Sequence, residues 1–137
     1  MPYLVVHDAA AAIEFYKLAF DVTEGLRLEM QGMVVHAELT VNGAMVYLSE
    51  APDDSGGTAT NPRQLGGTCV MLHQYVADVD ASAAKAVAAG GTLTRSPEDQ
   101  FYGDRVAMVT DPFGHMWSLH SRIAEVSEDE MMTAMAE

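Results

Sequence analysis

Apolar positions follow two periods along the chain, and the order in which those periods alternate occurs twice. Pro2 to Val6 is a short apolar, β-branched run of strand type. Asp8 precedes Ala9–Phe20, where Ile13, Tyr16 and Phe20 recur at helical spacing, so its carboxylate is placed to cap a helix. Gly25 to Met30 predicts a strand that breaks at Gln31-Gly32. Met33 to Val41 alternates, which assigns Val35, Ala37 and Leu39 to one face and Val34, His36, Glu38 and Thr40 to the other. Asn42-Gly43 predicts a type I′ hairpin, whose central residues both need φ > 0, and a strand over Ala44 to Ser49 follows.

The segment from Glu50 to Gly67 carries Pro52, Asp53-Asp54, Ser55-Gly56-Gly57, Asn61-Pro62 and Gly66-Gly67, a composition that predicts an exposed linker. Beyond it the plan returns. Cys69 to Val76 predicts a strand, Asp78 or Asp80 caps a helix through Ala89, and Gly90-Gly91 ends it. Thr92 to Thr94 predicts a short strand and Ser96 to Gly103 a polar loop. Arg105 to Thr110 and His115 to His120 then form strands around the turn Asp111-Pro112-Phe113-Gly114. Superposing Val6-His7-Asp8 on Val76-Ala77-Asp78 gives an internal repeat of about 70 residues. The fold class is α+β, with two tandem βαβββ modules. The expected divisions are residues 1–50, a linker over 51–67, a second module over 68–122, and a tail over 123–137. In the tail, the capping box Ser127-Glu128-Asp129-Glu130 predicts a helix over Glu128 to Ala136, with Met131, Met132 and Met135 packing on the body or on a second subunit.

The 137 residues are 49% apolar, enough for a real core, and no apolar run approaches the ~18 residues of a membrane span. No basic segment with a long apolar stretch opens the chain, and the single Cys69 permits no internal disulfide, so a cytoplasmic protein is expected. A net charge of −13 repels phosphate backbones and anionic lipid, which disfavours nucleic acid and membrane partners and favours a neutral or cationic ligand. No phosphate-binding glycine loop or dinucleotide fingerprint follows a strand. No Ser-His-acid or Cys-His set stands out either, and Cys69 is expected as a buried apolar residue opening a strand.

Several segments together resemble the vicinal oxygen chelate superfamily of glyoxalases, bleomycin resistance proteins and dioxygenases. They are Tyr3-Leu4-Val5-Val6, the helix of Ile13-Glu14-Phe15-Tyr16, Val76-Ala77-Asp78-Val79-Asp80, Gly103-Asp104-Arg105, and Asp111-Pro112-Phe113-Gly114-His115-Met116-Trp117. The resemblance implies two modules that curl their sheets into cups, usually in a homodimer. It also implies a divalent metal held by His, Glu or Gln on the first and last strand of each module. Carried over, those positions are Met1, Tyr47, Met71 and Ser118, none of which is an imidazole or a carboxylate, so no metal and no cofactor is expected.

Strand alternation places Met45, Tyr47, Ser49, Met71, His73, Tyr75, Met116, Ser118 and His120 on the cup faces, with His36 and Glu38 on the neighbouring strand. Adaptable thioethers with a few aromatic and polar groups suit a pocket for a bulky organic ligand, aromatic or cationic. Phe101 and Tyr102, in the loop before Asp104, are candidates to close over it. Trp117 is expected against the helices, and Gln74 stands where a helix-facing apolar residue is expected. His7 is expected at the surface, and His115 on local backbone. The expectation is a homodimeric, metal-independent protein that sequesters an antibiotic or natural product. The alternatives are a glyoxalase- or dioxygenase-like metalloenzyme using His73, His120 and Glu38, a metal-free isomerase using His36 and Glu38, and a relative whose cup is filled.

Overall fold

The computed structural model describes residues 1–53 and 60–137, so the Ser55-Gly56-Gly57 part of the expected linker lies outside the described residues. The first module runs β1 (Tyr3–Val6), α1 (Ala9–Phe20), β2 (Thr23–Met30), β3 (Met33–Val41) and β4 (Ala44–Glu50). After a single helical turn, α2 (Pro62–Leu65), the second runs β5 (Met71–Tyr75), α3 (Val79–Ala88), β6 (Thr92–Asp99), β7 (Asp104–Thr110) and β8 (Met116–Arg122), with α4 (Glu128–Ala136) last. Each module forms one four-stranded sheet, ordered β1-β4-β3-β2 and β5-β8-β7-β6, with the first strand parallel to the last and the rest antiparallel. This is the α+β architecture of two tandem βαβββ units.

The helices start where capping chemistry dictates: the Asp8 and Asp78 carboxylates accept from the Ala11 and Ala81 amides at 3.1 Å each. Asn42 and Gly43 turn the β3–β4 hairpin with φ of 48° and 82°, the geometry of a type I′ turn. Leu4, Val6, Leu39 and Leu48 of the first sheet and Val109, Trp117 and Leu119 of the second point to the helix side and share one core with Ile13, Tyr16, Phe20, Val79 and Ala83. Among the described residues, each sheet therefore keeps its opposite face free of helices.

The modules are tied together by the β7–β8 turn. Asp111 is buried and accepts four hydrogen bonds: from the Phe113 and His115 amides at 2.9 and 3.0 Å, Trp117 Nε1 at 3.0 Å, and the Tyr16 hydroxyl at 2.6 Å. Burial, and then the Asp111 charge, push the Tyr16 hydroxyl well above the ordinary tyrosine value, so it stays a donor. The His115 ring bonds the Val5 carbonyl at 2.9 Å, across the modules and not on local backbone as expected.

Other expectations are corrected. A register shift between β2 and β3 after the Leu28–His36 pair makes Val35 an exposed bulge residue and turns Val34 into the core, reversing their assigned faces. The polar stretch after Ser96 continues β6 as far as Asp99, because pairing with β7 extends the strand past what propensity indicates. Glu50 belongs to β4, where its carboxylate accepts from the Ala9 amide at 3.0 Å, and Asn61 is fully buried, bonding the Ala51 carbonyl at 2.8 Å. Cys69 is exposed and precedes β5, and His7 is half-buried with its ring 5.3 Å from that of Phe113. Helix α4 forms on its Ser127 cap, but among the described residues nothing buries it, and Met132 and Met135 are exposed, so of the two expected partners the body is not the one they pack on.

Gly103 (φ 94°) closes the β6–β7 turn against the chain leaving β8: a Cβ there would lie 2.3 Å from the Ala124 carbonyl oxygen. Gly32 has a similar φ of 78°, and a Cβ there would meet nothing within 4 Å among the described residues. Gly32→Ala is expected to cost about 1 kcal/mol, the left-handed conformation alone, and Gly103→Ala about 3 kcal/mol because backbone must move as well. Urea denaturation of both variants checks the difference, and equal midpoints would contradict the packing argument.

Candidate functional site

Sheet register decides which side chains stand together on the faces away from the helices. On the first sheet, Tyr3 pairs with Tyr47 and Tyr47 with Glu38, while His36 pairs with Leu28. The Tyr3 hydroxyl bonds His36 Nδ1 at 2.8 Å and His36 Nε2 bonds Glu38 Oε1 at 3.1 Å, with the Tyr47 ring edge-on to His36 at 5.1 Å. Met45 lies along the same face, touched by Thr40, and Ser49 pairs with Val5 towards the strand ends.

The second sheet places Met71 beside Met116, His73 beside Ser118, and Tyr75 beside His120. His73 and His120 stack with ring centroids 3.7 Å apart, and Tyr75 lies 5.3 and 5.8 Å from the two rings. Asp104, at the start of β7, joins them: its Oδ2 accepts from Tyr75 at 2.9 Å and His120 Nδ1 at 3.1 Å, and its Oδ1 from Arg122 Nε at 2.7 Å. His120 Nε2 lies 2.7 Å from Ser118 Oγ. Ser118, His120 and Asp104 are all buried, whereas Met71 and Tyr75 are half exposed. Burial holds His120 below the usual histidine value against the pull of Asp104. Burial opposes the ionised Asp104, yet the Tyr75, Arg122 and His120 donors together hold it below the usual carboxylate value. The expectation that no Ser-His-acid set exists is thus overturned. The signal was present in sequence, since Ser118 and His120 share a face two residues apart, but Asp104 reaches them only through strand pairing.

Where the two sheets meet, a groove of about 620 Å³ runs between the β3–β4 hairpin and β5. Met45, Met71, His73 and Tyr75 line it beside Pro2 and Val70, and the otherwise core-facing Trp117 is at its depth. Asn42 spans the junction, donating to the Gln74 side chain at 2.7 Å and the Tyr75 carbonyl at 3.1 Å. That bond accounts for a polar residue on the helix side of β5, although Gln74 Nε2 finds no partner among the described residues. The structure does not bring together every expected site residue. His36, Glu38, Tyr47 and Ser49 belong to the first face, away from this groove, and Ser118, His120 and Met116 form the floor of the second. Phe101 and Tyr102 pack edge to face on each other at 5.2 Å in the β6–β7 turn.

The sequence model of the Glyoxalase/Bleomycin resistance protein/Dioxygenase superfamily matches residues 2–119. The chain belongs to that superfamily. Among its relatives, the uncharacterized protein Mb0911c of Mycobacterium bovis is 47% identical over 137 residues, covering 98% of this chain and 90% of that one. Solved structures share the superfamily's fold. TioX from Micromonospora sp. ML1 superposes with a TM-score of 0.71 at 24% identity over 90% of this chain and 98% of its own. The fosfomycin resistance protein FosX from Listeria monocytogenes, a complex with Mn(II) and sulfate, gives 0.69 at 14% identity over 98% and 94%.

The four positions that the superfamily resemblance assigns to a metal do not fit one. Met1 and Met71 offer exposed thioethers, Tyr47 a phenol, and Ser118 a hydroxyl already bonded to His120. The shifted set of His73, His120 and Glu38 does not assemble either. Glu38 is on the other sheet with His36, His73 lies face to face on His120, and both nitrogens of His120 are engaged. Among the described residues, no three His, Cys, Asp or Glu side chains form a group that could hold a metal ion. Nor, among them, is any helix long and apolar enough to cross a membrane.

Proposed function

We propose that this protein binds a small organic molecule, an antibiotic or natural product with an aromatic or cationic portion, and acts by sequestering it without a metal. The observation that carries this reading is the groove of about 620 Å³ between the sheets, with methionines and aromatic rings on its walls and few polar groups. Its volume falls within the range of small-molecule sites, and thioether walls adapt to irregular shapes. The net charge of −13 favours a cationic guest over an anionic one. Metal independence is supported by the donor set at the four superfamily positions. We further propose a cytoplasmic homodimer, in which the helix-free faces, with exposed Tyr3, Leu26, Leu28, Met71 and Tyr75, are covered in pairs.

Titration calorimetry of the purified chain against an antibiotic panel including bleomycin tests the reading, with light scattering on the same sample for the dimer. Saturable binding of at least one compound is expected at micromolar affinity or tighter, about −8 kcal/mol, with no turnover. Stripping metal with a chelator should leave that affinity unchanged, and His73→Ala should weaken it about tenfold by removing an aromatic wall. No binding across the panel, or binding lost on chelation, would overturn it. A second reading, a metal-free isomerase, is favoured by the Tyr3–His36–Glu38 chain, which could pass a proton to or from a bound carbonyl compound. Deuterium uptake into a bound compound in heavy water, lost in His36→Ala, distinguishes it from sequestration.

A further inference from the structure

We propose that Ser118 is a primed nucleophile: the Ser118–His120–Asp104 chain gives the second cup face the capacity to take the acyl group of a small activated ester onto the serine hydroxyl. The inference goes beyond sequestration and concerns a neighbouring part of the second sheet: Ser118, His120 and Asp104 do not line the groove, although His73 and Tyr75 beside them do.

The direction of each hydrogen bond is set by its partners. Asp104 accepts from Tyr75, Arg122 and His120, and a carboxylate so surrounded by donors is ionised and cannot donate. The ring proton of His120 therefore stands on Nδ1, facing Asp104 at 3.1 Å. In the neutral ring, Nε2 then presents a lone pair, and the Ser118 hydroxyl 2.7 Å away donates to it. A hydroxyl donating to an imidazole whose far nitrogen is held by a buried carboxylate is the arrangement by which serine nucleophiles are activated.

The scaffold fixes this arrangement. Ser118 and His120 share one face of β8, Asp104 is held by pairing opposite Arg122, and the His73 ring stacks over that of His120 at 3.7 Å. Sites built on strands keep their geometry better than sites on loops. A buried network of serine, histidine and aspartate on the open face of a sheet is a poor choice for stability alone, and buried perturbed groups cluster where chemistry is done.

The step balances. Ser118 Oγ bonds to the acyl carbon while its proton passes to His120 Nε2. The bond from that carbon to the leaving oxygen breaks, and the leaving oxygen takes the electron pair and then the proton. Water attacks the acyl-serine by the same route, which releases the carboxylic acid and restores the hydroxyl. Ser118 is 5% exposed and pairs with the exposed His73, so an ester reaches its hydroxyl only when side chains on this face move apart.

The test uses the whole chain and p-nitrophenyl acetate, with nitrophenolate release followed by absorbance and the acetyl group located by peptide mass mapping. An acetyl group on Ser118 is expected, absent in Ser118→Ala, formed about 100-fold more slowly in His120→Gln, and formed faster in His73→Ala, which opens the floor. Asp104 is a positioning residue. Asp104→Asn should slow acetylation and also lower its pH midpoint, because His120 loses the carboxylate that favours its protonation while His73, Tyr75 and Arg122 still face it. A purely structural Asp104 would leave that midpoint unmoved. An unmodified Ser118 in both the native chain and His73→Ala overturns the proposal, as does an unchanged rate in His120→Gln. The native-chain measurement stands even if a variant does not fold. Binding in the calorimetric panel without Ser118 acetylation leaves sequestration and removes this inference; acetylation without panel binding does the reverse.

Discussion

Replacing Asp111 by alanine is expected to destabilise the protein by about 4 kcal/mol, a large share of the ~5–15 kcal/mol that holds a domain of this size folded. The carboxylate is buried and receives two backbone amides, the Trp117 indole and the Tyr16 hydroxyl, so its removal strands four donors in the interior at once. Two of them fix the turn between β7 and β8, and one reaches across from α1, so the loss affects the second sheet and the contact between modules together. Tyr16→Phe removes a single donor and should cost only about 1 kcal/mol, and Asp111→Asn should fall between, since an amide oxygen can serve part of the set. Urea titration followed by Trp117 fluorescence checks the series, because the indole is itself bonded to Asp111. A midpoint for Asp111→Ala within experimental scatter of the native value would show that water replaces the carboxylate without loss.

The repeat was readable because its signals are local. A capping aspartate before α1 and α3, the Asn42-Gly43 turn and the Asp111–Gly114 turn each act within a few residues, and two copies in the same order leave few arrangements for the strands. The errors fall where a neighbouring strand decides. Val34 and Val35 exchange faces because of a register shift against β2, and β6 continues through polar residues because β7 offers its ladder. The same limit governed the candidate site. Met71, His73 and Tyr75, and likewise Ser118 and His120, were placed on common faces by alternation alone. What alternation cannot supply is the partner on another strand, so the Asp104 carboxylate behind His120 and the Tyr3 hydroxyl before His36 emerged only with the pairing of β7 and β1. Helix α4 marks the opposite case: a sound local capping box forms the helix, but nothing local says whether its methionines have a surface to cover.

Acid should weaken the fold in two separable stages through the buried network on the second sheet. His120 is held below its ordinary value of ~6.5, so as pH falls past ~6.5 the unfolded chain takes up a proton that the folded chain refuses. The unfolded state then binds more protons, stability rises with pH in that window, and acidification erodes it until the folded pKa is passed. Asp104 has the same sign at lower pH: its folded value lies below the usual ~3.9, so its contribution is present above that value and lost as pH falls through the folded one. In His120→Gln the amide can still bridge Ser118 and Asp104 but has no proton to gain, so the first stage should flatten while the second remains. Asp104→Ala should cost about 3 kcal/mol at neutral pH, by leaving Tyr75 and His120 without their acceptor and Arg122 with only the exposed Glu125 carboxylate at 3.9 Å. It should also abolish the second stage and widen the first, because the carboxylate is what favours the protonated imidazole. Urea midpoints for the native chain and both variants at a series of pH values measure this. Curves for the native chain and His120→Gln that run parallel below pH ~6.5 would show that the imidazole is not the group that takes up the proton.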